Sequence, residues 1–129
     1  MNHLPNITLT TDDSERLRRL ADAASEKFPR TAEFLAREVD RATVIDDGGA
    51  SSNLVTMGAQ VVYRDDDTGK TRSVIVVYPD EANLDDGKIS VLTPIGAALI
   101  GLSVNQSIEF ETPTGATRSL TVMSVRKPG

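Results

Sequence analysis

The spacing of apolar residues predicts two helices in the first third of the chain. Apolar side chains recur at the interval of one helical face over residues 17–24. Asp12 and Glu15 stand in the spacing of a capping box, so the first helix is predicted to begin at Asp12. Pro29 interrupts the pattern, because proline lacks the amide hydrogen that a helix interior needs. A second apolar stripe predicts a helix over residues 31–44, and the short connection favours an antiparallel hairpin.

From residue 55 onward, the pattern changes to short apolar and alternating runs that are typical of strands. Strands are predicted over residues 59–64, 71–78, 88–92, 107–112 and 117–126. The run 71–78 is nearly continuous and rich in β-branched residues, which is typical of a central strand. Between the third and fourth strands, Thr93 as N-cap, Pro94 at the first helical position and Gly101 just past the end predict one short helix.

The segment 46–53 separates these two patterns and consists mainly of aspartate, glycine, serine and asparagine. Such a composition is typical of a solvent-exposed linker. We therefore expect a helical hairpin at residues 1–45, a linker at residues 46–53 and a second domain at residues 54–129.

The composition of the 129 residues excludes several classes of chemistry. Cysteine is absent, so a disulfide, a thiolate metal site and a cysteine nucleophile are excluded. A Ser-His-Asp enzyme would have to use His3, the single histidine, and zinc sites built from several histidines are excluded. We therefore assign no catalytic residue, no metal ligand and no cofactor.

The net charge of −5 comes from acidic and basic residues that are spread evenly along the chain, without a basic segment. Proteins that bind nucleic acid by releasing counterions usually carry a basic face, so no direct sequence-specific binding to nucleic acid is expected. The longest apolar run, residues 74–78, is far too short to span a bilayer, and no N-terminal stretch resembles a signal peptide. The sequence therefore predicts a cytoplasmic protein with no membrane partner.

Three separated segments resemble the C-terminal domain of the Gre transcript-cleavage factors of bacterial RNA polymerase. Residues 89–102, which begin Ile-Ser-Val-Leu-Thr-Pro, resemble the Gre motif Ile-Ser-x-x-Ser-Pro and the small-residue helix that follows it. Residues 76–83 resemble the Gre stretch Ile-Val-Gly-x-x-Glu-Ala-Asp, and residues 112–115 resemble its Thr-Pro-x-Gly turn. The resemblance covers residues 54–126, and the three segments occur in the same order.

Within that superfamily, the chain is most similar to the Rnk family of nucleoside diphosphate kinase regulators. The similarity spans nearly the whole chain and includes residues 35–42, residues 55–57 and the pair at 78–79, where Tyr-Pro replaces the Gre glycine. It implies an α+β fold in which a short antiparallel helical hairpin precedes an FKBP-like sheet. That sheet is expected to be antiparallel and strongly curved around one short helix.

The resemblance also implies a partner, because Gre-type proteins dock their C-terminal domain on the rim of the secondary channel of RNA polymerase. The Gre docking segment precedes the short helix, and by position it corresponds to Ser90, Thr93 and Pro94. Leu92 stands where Gre factors carry an acidic residue, so the contact with polymerase is expected to differ in detail.

The hairpin tip, residues 25–30, differs from the tip that Gre factors use for RNA cleavage. Those factors carry a long coiled coil with an acidic pair that holds a catalytic Mg²⁺. Each predicted helix here is on the order of 20 Å long, at about 1.5 Å per residue. The tip holds a single carboxylate, and its side chains are those of Glu26, Lys27, Phe28 and Arg30. One carboxylate among cations binds Mg²⁺ weakly, so we expect a regulator that occupies the channel without cleaving RNA and is not an enzyme.

Two other functions stay open as alternatives. A prolyl isomerase is suggested by the fold alone, but the pockets of such enzymes are lined with aromatic residues, and aromatic residues make up only 4% of this chain. A regulator of nucleoside diphosphate kinase or of nucleotide metabolism is suggested by the family name, although the sequence has no nucleotide-binding motif.

Overall fold

The computed structural model describes residues 4–127, which form a helical hairpin and a five-stranded sheet. The elements, in chain order, are β1 (Thr8–Thr10), α1 (Thr11–Ala24), α2 (Pro29–Arg41), β2 (Thr43–Ile45), β3 (Gln60–Asp65), β4 (Thr71–Val77), β5 (Lys88–Ser90), α3 (Pro94–Leu99), β6 (Ser107–Glu111) and β7 (Thr117–Arg126). His3, on which the expectation about a catalytic triad depends, lies outside the described residues.

The helical hairpin is confirmed, but both helices begin earlier than predicted. Helix α1 begins at Thr11, and its N-cap is Thr10 rather than Asp12, because the Thr10 hydroxyl accepts a hydrogen bond from the Asp13 amide at 3.2 Å. Helix α2 begins at Pro29, at a position where a helix does not use the amide hydrogen that proline lacks.

The prediction that the second helix reaches residue 44 is wrong. Helix α2 ends at Arg41, and β2 follows directly, because three β-branched residues favour extended backbone. Strand β2 pairs in parallel with β1, and Thr8 lies opposite Thr43. Neither strand was predicted, since each has only three residues and shows no periodicity of its own.

The α+β fold class is confirmed, with a sheet that curls around one short helix. The strand order is β5-β4-β3-β7-β6, and all five strands of this sheet were predicted to within two residues at each end. Strand β4, predicted to be central, has a neighbour on each side, although β3 occupies the middle of the order. Three of the strand pairs are antiparallel as expected, whereas β4 and β5 run parallel. The parallel pair arises because the chain crosses back between these two strands through two short 3₁₀ turns, Pro79–Glu81 and Leu84–Asp86.

One continuous apolar core joins the hairpin to the sheet. From the sheet and α3 it takes side chains that point to the same interior, among them Val61, Val76, Ala98, Leu99 and Val122. The hairpin adds Leu17, Leu35 and Val39 to the same cluster, and the N-terminal segment adds Ile7 and Leu9. The hairpin and the sheet therefore share one apolar core, and the division of the chain at residues 46–53 stays a prediction.

The backbone of residues 7–10 fastens the base of the hairpin to the turn that follows α3. The Thr8 amide donates to the Gly101 carbonyl at 3.0 Å, and the Thr43 amide donates to the Ile7 carbonyl at 3.0 Å. Gly101 has a positive φ of 83°, and a Cβ there would lie 3.1 Å from the Ile7 Cβ. Glycine at this position therefore permits both the turn and the close approach of the N-terminal strand.

Two buried carboxylates secure the hairpin further. Asp13, in the first turn of α1, is only 7% exposed and accepts a hydrogen bond from the Met57 amide at 3.1 Å. Burial raises the pKa of Asp13, and this hydrogen bond lowers it only in part. Glu38, which is 1% exposed, pairs with Arg41 at 2.6 Å, and Arg41 also donates to the Pro5 carbonyl. The start of α1 and the end of α2 are thus both held in place.

Replacing Gly96 of α3 with alanine is expected to destabilise the fold by about 1–3 kcal/mol, because the added Cβ would overpack a tight backbone contact. That Cβ would lie 2.3 Å from the Ser90 carbonyl oxygen and 2.9 Å from the Val91 Cα. Urea unfolding measures the change. The control is Gly48→Ala, where nothing lies within 4 Å and the expected change is within about 0.5 kcal/mol. Equal effects at the two glycines would contradict the close contact.

Replacing Asp66 with asparagine is expected to flatten the dependence of stability on pH. Burial raises the pKa of Asp66, but hydrogen bonds from Thr121, Ser119 and Arg64 outweigh burial and hold the pKa below its ordinary value of 3.8. An acid with a lowered pKa in the folded state stabilises the fold above its ordinary pKa, and this stabilisation is lost as the pH falls through the folded value.

In urea titrations, the wild type should therefore lose more stability between about pH 5 and pH 2 than Asp66→Asn does. The control Asp80→Asn, at an exposed position, should follow the wild type. Identical pH profiles for the wild type and Asp66→Asn would show that the hydrogen-bonded carboxylate does not contribute.

Candidate functional site

The segment between β5 and α3 forms a single hydrogen-bonded turn that contains all four predicted docking residues. The Thr93 hydroxyl donates to the Ser90 carbonyl at 2.7 Å and accepts from the Gly96 amide at 3.1 Å. The Ser90 hydroxyl accepts from the Leu92 amide at 3.0 Å, and Pro94 occupies the first position of α3. All four side chains are half-buried, so the turn is a firm part of the surface rather than a loose loop.

A groove of about 370 Å³ runs between this turn and the sheet. Its lining combines the start of α3, strands β3, β4, β6 and β7 and the β6–β7 turn: Tyr63, Asp65, Arg72, Thr93, Pro94, Ile95, Phe110, Thr112, Pro113, Arg118, Ser119 and Leu120. Of the predicted docking residues, Thr93 and Pro94 line the groove, whereas Ser90 and Leu92 do not.

The apolar part of the groove contains one buried tyrosine. Tyr63 is 4% exposed and lies among the side chains of Ile95, Phe110 and Leu120. Its cross-strand neighbour in β4 is Arg72, which is exposed. Burial raises the pKa of Tyr63, and the charge of Arg72 lowers it only in part, so the hydroxyl is protonated at neutral pH and available as a hydrogen-bond donor.

The two arginines of the groove differ in their charge environment. Arg118 pairs with Asp65, and its Nε lies 3.4 Å from an Asp67 carboxylate oxygen, so its charge is largely neutralised. Arg72 takes part in no ion pair formed among residues 4–127. The groove therefore offers one available cation beside an apolar floor.

The sequence analysis did not identify Tyr63, Arg72, Phe110 or Arg118 as site residues. Alternation along the strands places Tyr63 on the same face as Val61, and this signal could have marked it as an inward-facing residue. Which residue lies opposite Tyr63 depends on the pairing of β3 with β4, which a strand pattern alone does not specify.

The predicted tip residues Glu26, Lys27, Phe28 and Arg30 are all exposed. Phe28 is 51% exposed, yet its backbone is fixed, because its amide donates to Ala24 and its carbonyl accepts from Ala32. An Arg30 nitrogen lies 4.0 Å from a Glu111 carboxylate oxygen at the end of β6. Since Glu111 is next to the groove residue Phe110, the tip and the groove lie near each other on the surface.

A second concave surface lies between α1 and the end of β4. The Arg16 guanidinium lies 4.1 Å from the centroid of the Tyr78 ring, a cation–π contact. Burial raises the pKa of Tyr78 to about 12, and no group among the described residues hydrogen-bonds to its buried hydroxyl. This contact joins the hairpin to the sheet on the side of the molecule where β4 ends.

Within residues 4–127, no group of three or more histidine, cysteine, aspartate or glutamate side chains is arranged to hold a metal ion. None of the helices in the same part of the chain combines the length and apolarity that crossing a membrane requires.

Two family models match the chain. Residues 50–127 match the model described as "Transcription elongation factor, GreA/GreB, C-term", and residues 5–45 match the model described as "Rnk N-terminus". The first match contains the groove and its turn, and the second contains the helical hairpin.

Named relatives agree with both models. The chain is 32% identical to the Regulator of nucleoside diphosphate kinase of Escherichia coli K12, over 94% of this chain and 89% of the relative. It is 39% identical to the transcription elongation factor GreA of Chloroflexus aggregans, over 68% of this chain but only 55% of that protein. A solved GreA/GreB elongation factor from Nitrosomonas europaea superposes with a TM-score of 0.73 and 32% identity, covering 95% of this chain and 98% of that one. The predicted resemblance is confirmed, and the chain belongs to the GreA/GreB family of transcription elongation factors, in the group that carries the Rnk N-terminus.

Proposed function

We propose that this protein regulates transcription elongation by docking on RNA polymerase at the rim of the secondary channel, without cleaving the transcript. The observation that carries this proposal is the combination of a firm turn from Ser90 to Pro94, within the region that matches the GreA/GreB model, with a hairpin that is short and has a single carboxylate at its tip. The two features bear on different steps, since the turn supports binding and the hairpin limits what the bound protein can do.

The docking half of the proposal is supported by the rigidity of the turn from Ser90 to Pro94. The hydroxyls of Ser90 and Thr93 make hydrogen bonds to the backbone of the turn, so little conformational freedom of the turn would be lost on binding. Pro94 and Thr93 also form one wall of the groove, which places a concave surface next to the turn. Concave apolar surfaces with a few polar groups are common binding sites in proteins.

The lack of cleavage is supported by the dimensions and charge of the hairpin. Helices α1 and α2 contain 14 and 13 residues, which correspond to about 21 Å and 20 Å at 1.5 Å per residue. Glu26 is the single carboxylate in the tip at residues 25–30, where Lys27 and Arg30 supply opposite charge. Mg²⁺ favours sites with several oxygen ligands, so this tip is a poor carrier for a catalytic metal ion. The protein is therefore proposed to be a regulator rather than an enzyme.

A second candidate function follows from the name of the Escherichia coli relative, which describes a regulator of nucleoside diphosphate kinase. Under this alternative, the protein would act on the kinase directly. A saturable change in the initial rate of a purified bacterial nucleoside diphosphate kinase would support it. An unchanged rate at a large excess of this protein would rule out direct action on the kinase.

Replacing Pro94 with aspartate is expected to weaken binding to bacterial core RNA polymerase by about tenfold or more, which corresponds to about 1.4 kcal/mol. The carboxylate would have to lose water when the apolar wall of the groove is covered by the partner. Folding should change little, because aspartate is favourable in the first turn of a helix. We expect the melting temperature to fall by no more than about 4 °C.

The matched control is Pro79→Asp, since Pro79 also begins a helical turn but lies outside the groove and is exposed. It should bind polymerase as the wild type does. A wild type that fails to bind core polymerase at low salt would end the proposal. Unchanged binding of Pro94→Asp would show that docking uses another surface.

A further inference from the structure

We propose that the groove beside α3 recognises a partner segment in which a carboxylate lies next to a bulky aliphatic side chain. The guanidinium of Arg72 and the hydroxyl of Tyr63 would bind the carboxylate, and the apolar floor would take the aliphatic group. In its biological context this inference rests on the proposed function, because the segment would belong to RNA polymerase. The chemistry of the groove is testable by itself.

Tyr63 supplies the first argument. The residue is 4% exposed, but its hydroxyl forms no hydrogen bond with residues 4–127 and is not among the fully buried polar atoms, so it reaches solvent in the groove. A hydroxyl in this position can exchange its hydrogen bond to water for one to an acceptor on a ligand. Because Tyr63 lines the groove, a ligand there can accept a hydrogen bond from its hydroxyl.

Arg72 supplies the second argument. It lies directly opposite Tyr63 in the antiparallel pair of β3 and β4, where facing side chains are about 4.5–5.5 Å apart at their Cβ atoms. It forms no ion pair with any residue of the described chain. A guanidinium and a tyrosine hydroxyl on one rim together form a donor pair that matches the two oxygens of a carboxylate.

The apolar floor accounts for the aliphatic part of the ligand. Ile95, Phe110, Leu120 and Pro94 line the same groove as Tyr63 and Arg72. The volume of about 370 Å³ lies at the lower end of the roughly 300–1,000 Å³ typical of small binding sites. The groove therefore suits a short segment with one large side chain rather than a broad flat surface.

The charge around the groove favours a single carboxylate over a polyanion. Arg72 and Arg118 are offset by the groove residue Asp65, which leaves one net positive charge among the lining residues. Arg118 is already paired with Asp65 and near Asp67, and the whole chain carries a net charge of −5. These carboxylates would repel the phosphate backbone of a nucleic acid, whereas a single carboxylate on the partner matches the one available cation.

The first test measures the affinity of variants for core RNA polymerase. Arg72→Gln is expected to weaken binding by roughly tenfold, because it removes a charge-assisted hydrogen bond. Tyr63→Phe is expected to weaken it by roughly threefold or more without lowering the melting temperature, since the hydroxyl has no partner in the free protein. The matched control is Arg126→Gln, an exposed arginine outside the groove, which should change affinity by less than about twofold.

The second test uses the protein without polymerase. The probes are the peptides acetyl-Leu-Glu-Leu-amide and acetyl-Leu-Gln-Leu-amide, titrated into labelled protein and followed by NMR. The glutamate peptide should shift the signals of Tyr63, Arg72, Ile95 and Phe110 and bind at least about fivefold more tightly than the glutamine peptide. That preference should be lost in Arg72→Gln.

The outcomes separate this inference from the proposed function. If polymerase binds the wild type but Arg72→Gln and Tyr63→Phe bind equally well, docking stands and the carboxylate site is wrong. If polymerase does not bind the wild type while the glutamate peptide occupies the groove, the carboxylate site stands and the proposed partner is wrong. Equal binding of both peptides, binding elsewhere, or no binding of either peptide would overturn the carboxylate site.

Discussion

The attachment of the N-terminal strand to the turn after α3 fixes the position of the helical hairpin relative to the groove. Thr8 donates to the Gly101 carbonyl, and Ile7 occupies space that a side chain at position 101 would fill. Because α3 begins at the turn from Ser90 to Pro94 and ends just before this attachment, the base of the hairpin is fixed to the element that also forms one wall of the groove. The tip is thereby held beside β6, where Arg30 lies 4.0 Å from Glu111. A hairpin anchored in this way is a short projection at a fixed distance from the groove.

The length of the hairpin helices bears directly on the proposed function. A regulator that acts through a distant metal-carrying tip needs helices that extend well beyond the domain to which they are attached. Here the two helices, of 14 and 13 residues, pack mainly against each other, and Leu17, Leu35 and Val39 join them to the common core. The surface that we propose for a partner is the groove, its turn and the exposed tip, and its side chains fit the proposed role in recognition.

The sequence was sufficient for the main elements but not for their pairing. The strands of the sheet follow from alternation, and the short helix follows from Thr93, Pro94 and Gly101, because these signals are local. Strands β1 and β2 were missed, since three residues carry no periodicity and their pairing joins segments some 35 residues apart in sequence (Thr8 and Thr43). The same reason explains why only part of the candidate site was predicted. Thr93 and Pro94 were found through a contiguous motif, whereas Tyr63 and Arg72 become neighbours only through the register of β3 and β4.

The most direct test of this account is competition with a GreA-type cleavage factor on stalled, backtracked elongation complexes, with shortening of the RNA as the measurement. The account predicts that increasing amounts of this protein slow the shortening and abolish it at saturation, because both proteins use one entrance. It also predicts that the protein alone leaves the RNA intact. Shortening that proceeds unchanged at saturating protein, or RNA cleavage by the protein itself, would contradict the account.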